Sequence, residues 1–342
     1  MVLSIATEIA ASGPMPFDRF VDLALYDDAD GFYATSGRAG GRRGDFVTSV
    51  EVGPLFAAVI ADWLDGLWQQ ADQPEEFRVA EVGAGVGTLF RGIDRAAPAC
   101  LDALAYTLVE RSATMRSAHQ SLPGEGWQSA AELPAVRQHV VLANELLDNL
   151  GFGIAERVDG GWGSVTVVLS GPDLDLETSA PDPQLRYLED LAPAAAVGHR
   201  VPLAIAAAEW VETVQANTDH LLVFDYAATT AELADRGQPG WLRTYAAHER
   251  GDDPLVDIGQ RDITHDVPID QLPTATAQTL QAEWLVTNGL SQRVDAARQV
   301  WKERAHIGDL EAMTARSAIN EAKALTDRAG LGGFWVLEWE AS

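Results

Sequence analysis

The sequence predicts an α/β chain built on an open, mostly parallel sheet, and three observations carry that reading. From residue 77 onward, short β-branched or apolar runs alternate with segments of helix length. The runs are unbroken rather than alternating, as in strands buried on both faces. Each ends in polar residues: Glu81, Glu110 and Asn144-Glu145. Ligands of such sheets bind beyond the carboxyl ends of the strands, so these residues are the first candidates for a site.

Taken in order, Phe17 to Tyr26 and Pro54 to Gln70 place apolar side chains at helical spacing and read as two amphipathic helices. Between them, Asp27 to Gly53 is turn-rich; Arg38, Arg42 and Arg43 give this loop a local positive patch. FRVAEVG, YTLVE and HVVLANE then read as strands, with helices near Thr88 to Ala96 and Ser112 to Gln120 between them. Trp162 to Ser170, His220 to Ala227 and Phe334 to Glu340 read as further strands, and residues 278 to 329 as helical with breaks near Gly289 and Gly308. Gly151 to Ala216 shows no β-α-β rhythm. The expected organisation is an N-terminal helical segment (1–72), a first part of the core (73–150), an inserted subdomain (151–216) and the rest of the core with C-terminal helices (217–342).

Composition narrows the partners. The 342 residues carry 24 Lys+Arg against 51 Asp+Glu, a formal charge of -27, which disfavours nucleic acid and anionic membrane surfaces. A single cysteine, Cys100, makes no internal disulfide, and seven scattered histidines offer no structural zinc framework, so no metal is expected. The first residues carry Glu8 and Asp18 and no early base, unlike a secretory or transit leader, and a reducing cytoplasm is the expected compartment. No stretch approaches the roughly 20 apolar residues of a membrane span.

The most informative stretch is Glu81-Val82-Gly83-Ala84-Gly85-Val86-Gly87-Thr88-Leu89, a strand running into a glycine turn and then a helix. A dinucleotide fingerprint needs G-x-G-x-x-G/A, and counting from Gly83 the third position is Thr88, so that pattern is absent. What is present brings bare backbone against a ligand that has no pyrophosphate to cradle. S-adenosylmethionine is such a ligand: Glu81 suits its cationic groups, Glu110 its ribose hydroxyls, and the helix start near Thr88 its carboxylate. Tight strand-helix packing alone is the alternative use of such a turn.

Along nearly its whole length the sequence resembles the MidA family of S-adenosylmethionine-dependent methyltransferases. The resemblance is carried in order by FDRFVDLALYDDADGFYA (Phe17 to Ala34), GDFVTSVEVGPLFA (Gly44 to Ala57), EVGAGVGTL, NELLDNLG (Asn144 to Gly151), FDYA (Phe224 to Ala227), LRTYAAH (Leu242 to His248), DIGQRDITHDV (Asp257 to Val267) and QAEWLVTNGLSQR (Gln281 to Arg293). Ala84, Val50 and Gly151 stand where the family usually has proline, and Ala227 where it has glycine. The resemblance implies a class I methyltransferase (Rossmann-like) fold with an N-terminal helical lid and an inserted or C-terminal substrate subdomain. Mitochondrial members are complex I assembly factors that methylate a protein arginine. For this chain it therefore implies S-adenosyl-L-methionine as cofactor and a protein or peptide substrate. A homodimer is compatible with it. A small-molecule methyltransferase and a non-catalytic assembly factor are the competing readings.

Methyl transfer requires alignment and exclusion of water rather than a covalent nucleophile. A guanidinium acceptor, with a pKa above about 12, needs carboxylates that hold its charge while one nitrogen attacks. Asn144, Glu145, Asp148 and Asp45 are the expected catalytic residues, and Asn144 followed by acids also reads as a helix start. The expected cofactor residues are Glu81, Gly83, Ala84, Gly85, Gly87, Thr88, Leu89, Glu110, Arg111, Asn144, Thr48 and Ser49, with Trp127 and Gln128 flanking the adenine. Glu51 is a further substrate contact, and His248 and His265 are expected to be structural.

Overall fold

The computed structural model describes residues 1–35, 48–246 and 249–341. At its centre is a seven-stranded sheet, whose strands are numbered here along the chain: β1 (Phe77–Val82), β2 (Leu104–Val109), β3 (Trp127–Ala130), β4 (Gln138–Asn144), β5 (Thr218–Asp225), β6 (Ala277–Leu280) and β7 (Trp335–Glu340). Their spatial order is 3-2-1-4-5-7-6. β1 to β5 pair in parallel, and β7 runs antiparallel to both of its neighbours. The order reverses between β1 and β4, the switch point at which a crevice opens in sheets of this kind.

Alternation along the strands sorts the core into two layers. Val79, Tyr106, Val140, Leu142 and Phe224 join one cluster with the helices Pro54–Gln70, Thr88–Ala96, Gln281–Leu285 and Leu310–Thr326. Ala80, Val141, Ala143, Val223 and Leu337 join the other, against Ala207, Val211 and Val214 of the helix Ile205–Gln215. Both amphipathic helices form where periodicity put them. Pro54 opens the second, at a position that needs no N–H donor. The breaks near Gly289 and Gly308 are also present, with φ of +107° and +69°, the left-handed region that glycine enters without steric penalty.

The stretch 151–216 holds most of a second, antiparallel sheet: Gly153–Val158, Gly161–Ser170, Asp173–Thr178 and Arg200–Leu203, joined by Met15–Pro16 from the N-terminal region. Two-residue turns close its hairpins at Asp159-Gly160 and Gly171-Pro172, with glycine φ of +89° and +64°. Phe17, Phe20, Phe152, Ile154, Val165 and Val167 form the core beneath it.

Three expectations need correction. The stretch 127–130, given no strand from sequence, forms β3, and residues 277–280 form β6 rather than the start of a helical stretch. Both strands are only four residues long, lie at the two edges of the sheet and are partly exposed, so neither shows an apolar run. Beyond Asn144 the chain makes a single 3-10 turn, Leu147–Asn149, instead of a helix, because Glu145 takes a left-handed φ of +54°.

Candidate active site

A cavity of about 570 Å³ opens at the carboxyl ends of β1, β2 and β4. Its floor is the glycine loop. Gly83, Gly85 and Gly87 all have positive φ (+74°, +53° and +77°), and the N–H groups of Gly83 and Ala84 both donate to the Val109 carbonyl at the end of β2, at 2.9 and 3.0 Å. Gly87 could not be larger: a Cβ there would stand 2.8 Å from Leu122 Cδ1 and 3.0 Å from Leu108 Cδ2. The Gly85 carbonyl is bound by His119 Nε2 at 2.8 Å. A carbonyl only accepts, so Nε2 carries the proton and Nδ1 accepts the Ser129 hydroxyl at 2.8 Å. Burial holds the His119 pKa down, consistent with this neutral form.

Two acids rise from this floor. Glu110, 8% exposed, receives the Gly85 N–H on Oε2 at 2.9 Å and the Ser112 N–H on Oε1 at 2.7 Å. Burial raises its pKa against the pull of those donors. Glu81, 6% exposed, accepts the Tyr106 hydroxyl at 2.8 Å and the Phe90 N–H. Burial pushes its pKa up to about 8.

The opposite wall is the tip of β4. Glu145 faces the cavity with, among the described residues, only neutral donors on its carboxylate: Asn144 Nδ2 at 3.1 Å, the Tyr226 hydroxyl at 3.2 Å and the Ser49 N–H. Burial, and after it the charge of Asp148, pushes its pKa up to about 8. Asp148 is not in the lining. It lies behind, 2% exposed, accepting the Thr264 hydroxyl at 2.6 Å and Asn149 Nδ2 at 2.9 Å. Asp225, fully buried at the end of β5, accepts the N–H groups of Leu147 and Tyr226 and braces the turn. Its pKa is raised by burial and then by Asp148 and Glu145.

Of the residues named from sequence, Glu81, Gly83, Ala84, Gly85, Thr88, Leu89, Glu110, Arg111, Asn144, Glu145, Thr48 and Glu51 line this one cavity. Gly87 supports the loop from below, and Ser49 is buried behind the wall with its hydroxyl on Gln281. Trp127 and Gln128 are not in the lining. Trp127 packs against the core cluster with Nε1 on the Pro123 carbonyl, and Gln128 donates to Thr107. The chain beyond β3, Ala131 to Leu133, takes their place. Asp45 and His248 lie outside the described residues, as do Arg38, Arg42 and Arg43. His265 is fully buried, stacked on Phe152 at 3.9 Å, with Nδ1 on the Asp148 carbonyl; burial pushes its pKa down to about 3, a packed neutral side chain.

Sequence reasoning passed over the stacked pair Tyr26 and Tyr33, with centroids 5.2 Å apart. Their hydroxyls reach the Asn149 carbonyl at 3.2 Å and Asn149 Oδ1 at 2.7 Å. Spacing had offered a signal, two tyrosines flanking the Asp-Gly turn of YDDADGFY. Trp210, Thr213 and Val214, from the helix beyond the second sheet, carried none.

The lining suits S-adenosylmethionine. Among the described residues, its carboxylates, Glu51, Glu81, Glu110, Glu132 and Glu145, face one cation, Arg111, already bound to Asp22 at 2.7 Å and resting 4.3 Å over the Tyr26 ring. Apolar walls come from Leu89, Met115, Leu133 and Leu146. Thr48 Oγ1 and Asn144 Oδ1, on two lining residues, have no hydrogen-bond partner among the described residues. Buried polar atoms without partners are costly, which makes them natural contacts for a ligand's polar end.

The comparisons agree. The family model described as S-adenosyl-L-methionine-dependent methyltransferase matches residues 59–287. The "Protein arginine methyltransferase NDUFAF7 homolog, mitochondrial" of Drosophila melanogaster is 24% identical over 304 residues, covering 77% of this chain and 67% of that protein. The Rattus norvegicus "Protein arginine methyltransferase NDUFAF7, mitochondrial" is 25% identical over 314 residues, covering 80% and 68%. A crystal structure of a COG1565 superfamily member from Burkholderia thailandensis, bound to S-adenosyl-homocysteine, superposes with a TM-score of 0.85 at 25% identity over 99% of this chain and 91% of that one. With the glycine loop, Glu110 and the β4 tip gathered on one cavity in a class I methyltransferase-like sheet, the chain belongs to the MidA-type family of S-adenosyl-L-methionine-dependent methyltransferases.

Proposed function

We propose that the methyl group goes to a protein side chain, an arginine guanidinium, and that Glu145 is its recognition and proton-accepting group. One observation carries the reading: Glu145 stands on the cavity wall with three neutral donors and, among the described residues, no cation in contact, in a lining rich in carboxylates. The printed names of the relatives, protein arginine methyltransferases, support it.

The bound cofactor supplies an electrophilic methyl group on a sulfonium. The protein must supply the rest. Asn144 and Tyr226 orient the Glu145 carboxylate, and Asp148, held by Thr264 and Asn149, sits close behind it. A guanidinium brought against Glu145 keeps the carboxylate ionised despite its burial, since an opposite charge within a few ångströms favours the charged form. As the new N–C bond forms and the methyl–sulfur bond breaks, one N–H proton passes to the ionised Glu145, whose burial raises its affinity for a proton. Tyr26, Tyr33, Thr48 and Glu51, from the N-terminal segment, line the cavity, which supports a role as a lid for residues 1–72. Gly151 leads into Gly153–Val158 of the second sheet and packs where a Cβ would be 3.2 Å from the Asp18 carbonyl oxygen, which supports a substrate-side role for 151–216.

The test is incubation with isotopically labelled S-adenosylmethionine and arginine-containing peptides. Glu145→Gln should retain S-adenosyl-homocysteine binding and lose label transfer by about 100-fold, the lower end for removal of a general base. Wild-type transfer by the variant, or label on a non-arginine group, refutes the assignment.

A further inference from the structure

Behind the cavity wall, the C-terminal helices grip the N-terminal segment at two points. Gln281, wholly buried, accepts the Ser49 hydroxyl at 2.9 Å and donates to the Leu325 carbonyl at 3.3 Å. Glu321, 6% exposed on the helix Leu310–Thr326, accepts the Leu55 N–H at 3.0 Å on one oxygen and the Ser317 hydroxyl at 2.8 Å on the other. Leu55 is in the first turn of Pro54–Gln70, where backbone N–H groups lack partners within the helix, and no side chain at the N-cap position bonds them. A carboxylate is well placed there, at the positive end of the helix dipole. It gets there because residue 53 is glycine: a Cβ on Gly53 would lie 2.2 Å from Glu321 Cδ.

Between these anchors runs the segment that forms one cavity wall. Thr48, Val50 and Glu51 line the cavity, and the Ser49 N–H donates to Glu145. We propose that Glu321 is a positioning residue for the cofactor: across Gly53 it caps the helix Pro54–Gln70 and so fixes residues 48–52 against the site. It is not among the lining residues and acts through the Leu55 N–H. The inference uses the cofactor assignment and not the acceptor, so it fails or stands separately from the arginine reading.

The test is calorimetric titration of S-adenosyl-homocysteine into the full chain, each variant held well below its own melting temperature. Glu321→Ala removes the cap and should weaken binding at least tenfold. Glu321→Gln should stay within threefold, because the carboxamide oxygen still accepts from Leu55 and its NH2 group donates to Ser317. Gly53→Ala leaves Glu321 chemically intact but displaces its carboxylate from the same contact, and should match Glu321→Ala. Asp309→Ala, which removes the cap of the helix Leu310–Thr326 at its far end, is the control for destabilisation alone and should bind normally. Wild-type affinity in folded Glu321→Ala or Gly53→Ala overturns the proposal, as does an equal loss in Glu321→Gln or Asp309→Ala. If Glu321→Ala does not fold, Gly53→Ala decides.

Discussion

Exchanging Glu110 for glutamine preserves the shape of the side chain and exposes what its charge does. Both carboxylate oxygens already receive backbone donors, Gly85 N–H at 2.9 Å and Ser112 N–H at 2.7 Å. A carboxamide offers one acceptor and one donor, so in either orientation its NH2 group confronts an N–H. If the shorter bond to Ser112 is kept, the Gly85 N–H is left unpaired and the glycine loop loses one of its ties to the end of β2, those of Gly83 and Ala84 to the Val109 carbonyl remaining. A hydrogen bond to a charged group contributes about 1.5–3 kcal/mol, and an orphaned buried donor costs about 1–3 kcal/mol. Part of that falls on the stability of the free protein. With about 2 kcal/mol left in binding, affinity for S-adenosyl-homocysteine drops about thirtyfold. Isothermal titration of wild type, Glu110→Gln and Glu110→Ala, with a thermal melt of each, measures both shares. Binding within threefold of wild type in Glu110→Gln, with no loss of melting temperature, would show that the acid neither organises the loop nor contacts the ligand.

Two further expectations concern stability. Gly87→Ala forces an L-residue to φ +77° and drives a Cβ into Leu122 and Leu108, costing about 1–2 kcal/mol for the left-handed backbone and about 1–3 for overpacking. Urea unfolding should show a loss of about 2–5 kcal/mol, and an unchanged midpoint would mean the loop tolerates a side chain. The second is a pH dependence. Glu81 and Glu145, pushed up to about 8 by burial, hold protons in the folded protein that the unfolded chain has released above about 4.5. More protons bound to the native state means that stability falls as pH rises, by up to about 1.4 kcal/mol per pH unit for each group. The clean window is pH 6.5 to 8. Below it His119, His139 and His265, held under their usual value by burial, act in the opposite direction. Unfolding of the ligand-free protein should show this decline, with a shallower slope in Glu145→Gln; a flat or rising wild-type profile would contradict the burial of these acids.

Much of the parallel core was legible because its strands are buried on both faces and therefore spell themselves out as apolar runs, each stopping at a polar tip that the cavity then uses. Glu81, Glu110 and Asn144-Glu145 could be placed from sequence for that reason. The second sheet was less legible. Asp173–Thr178 alternates Asp and Leu with its acids exposed, a pattern of one-sided burial, and the turn signals Asp159-Gly160 and Gly171-Pro172 stand on either side of Gly161–Ser170. They are a hairpin signature that β-α-β expectations pass over. Trp127, expected beside the adenine, is absent from the cavity lining because its ring packs into the core beside Phe90, at 6.1 Å. The back of the cavity wall could not be read at all: Gln281 and Glu321 lie more than 200 residues from the segment they hold, and nothing in local pattern links such distant positions.

The placement of β7 bears on how this chain reaches its shape during synthesis. Of the seven strands of this sheet it is the last to emerge, yet it sits between β5 and β6 and pairs with both. Until residues 335–340 leave the ribosome, β5 presents an open row of backbone groups, the kind of template on which nascent chains associate with one another. A ribosome-bound chain arrested before Trp335 should therefore be captured by chaperones and aggregate on release, whereas one extended past Glu340 by a flexible tether should close its own sheet.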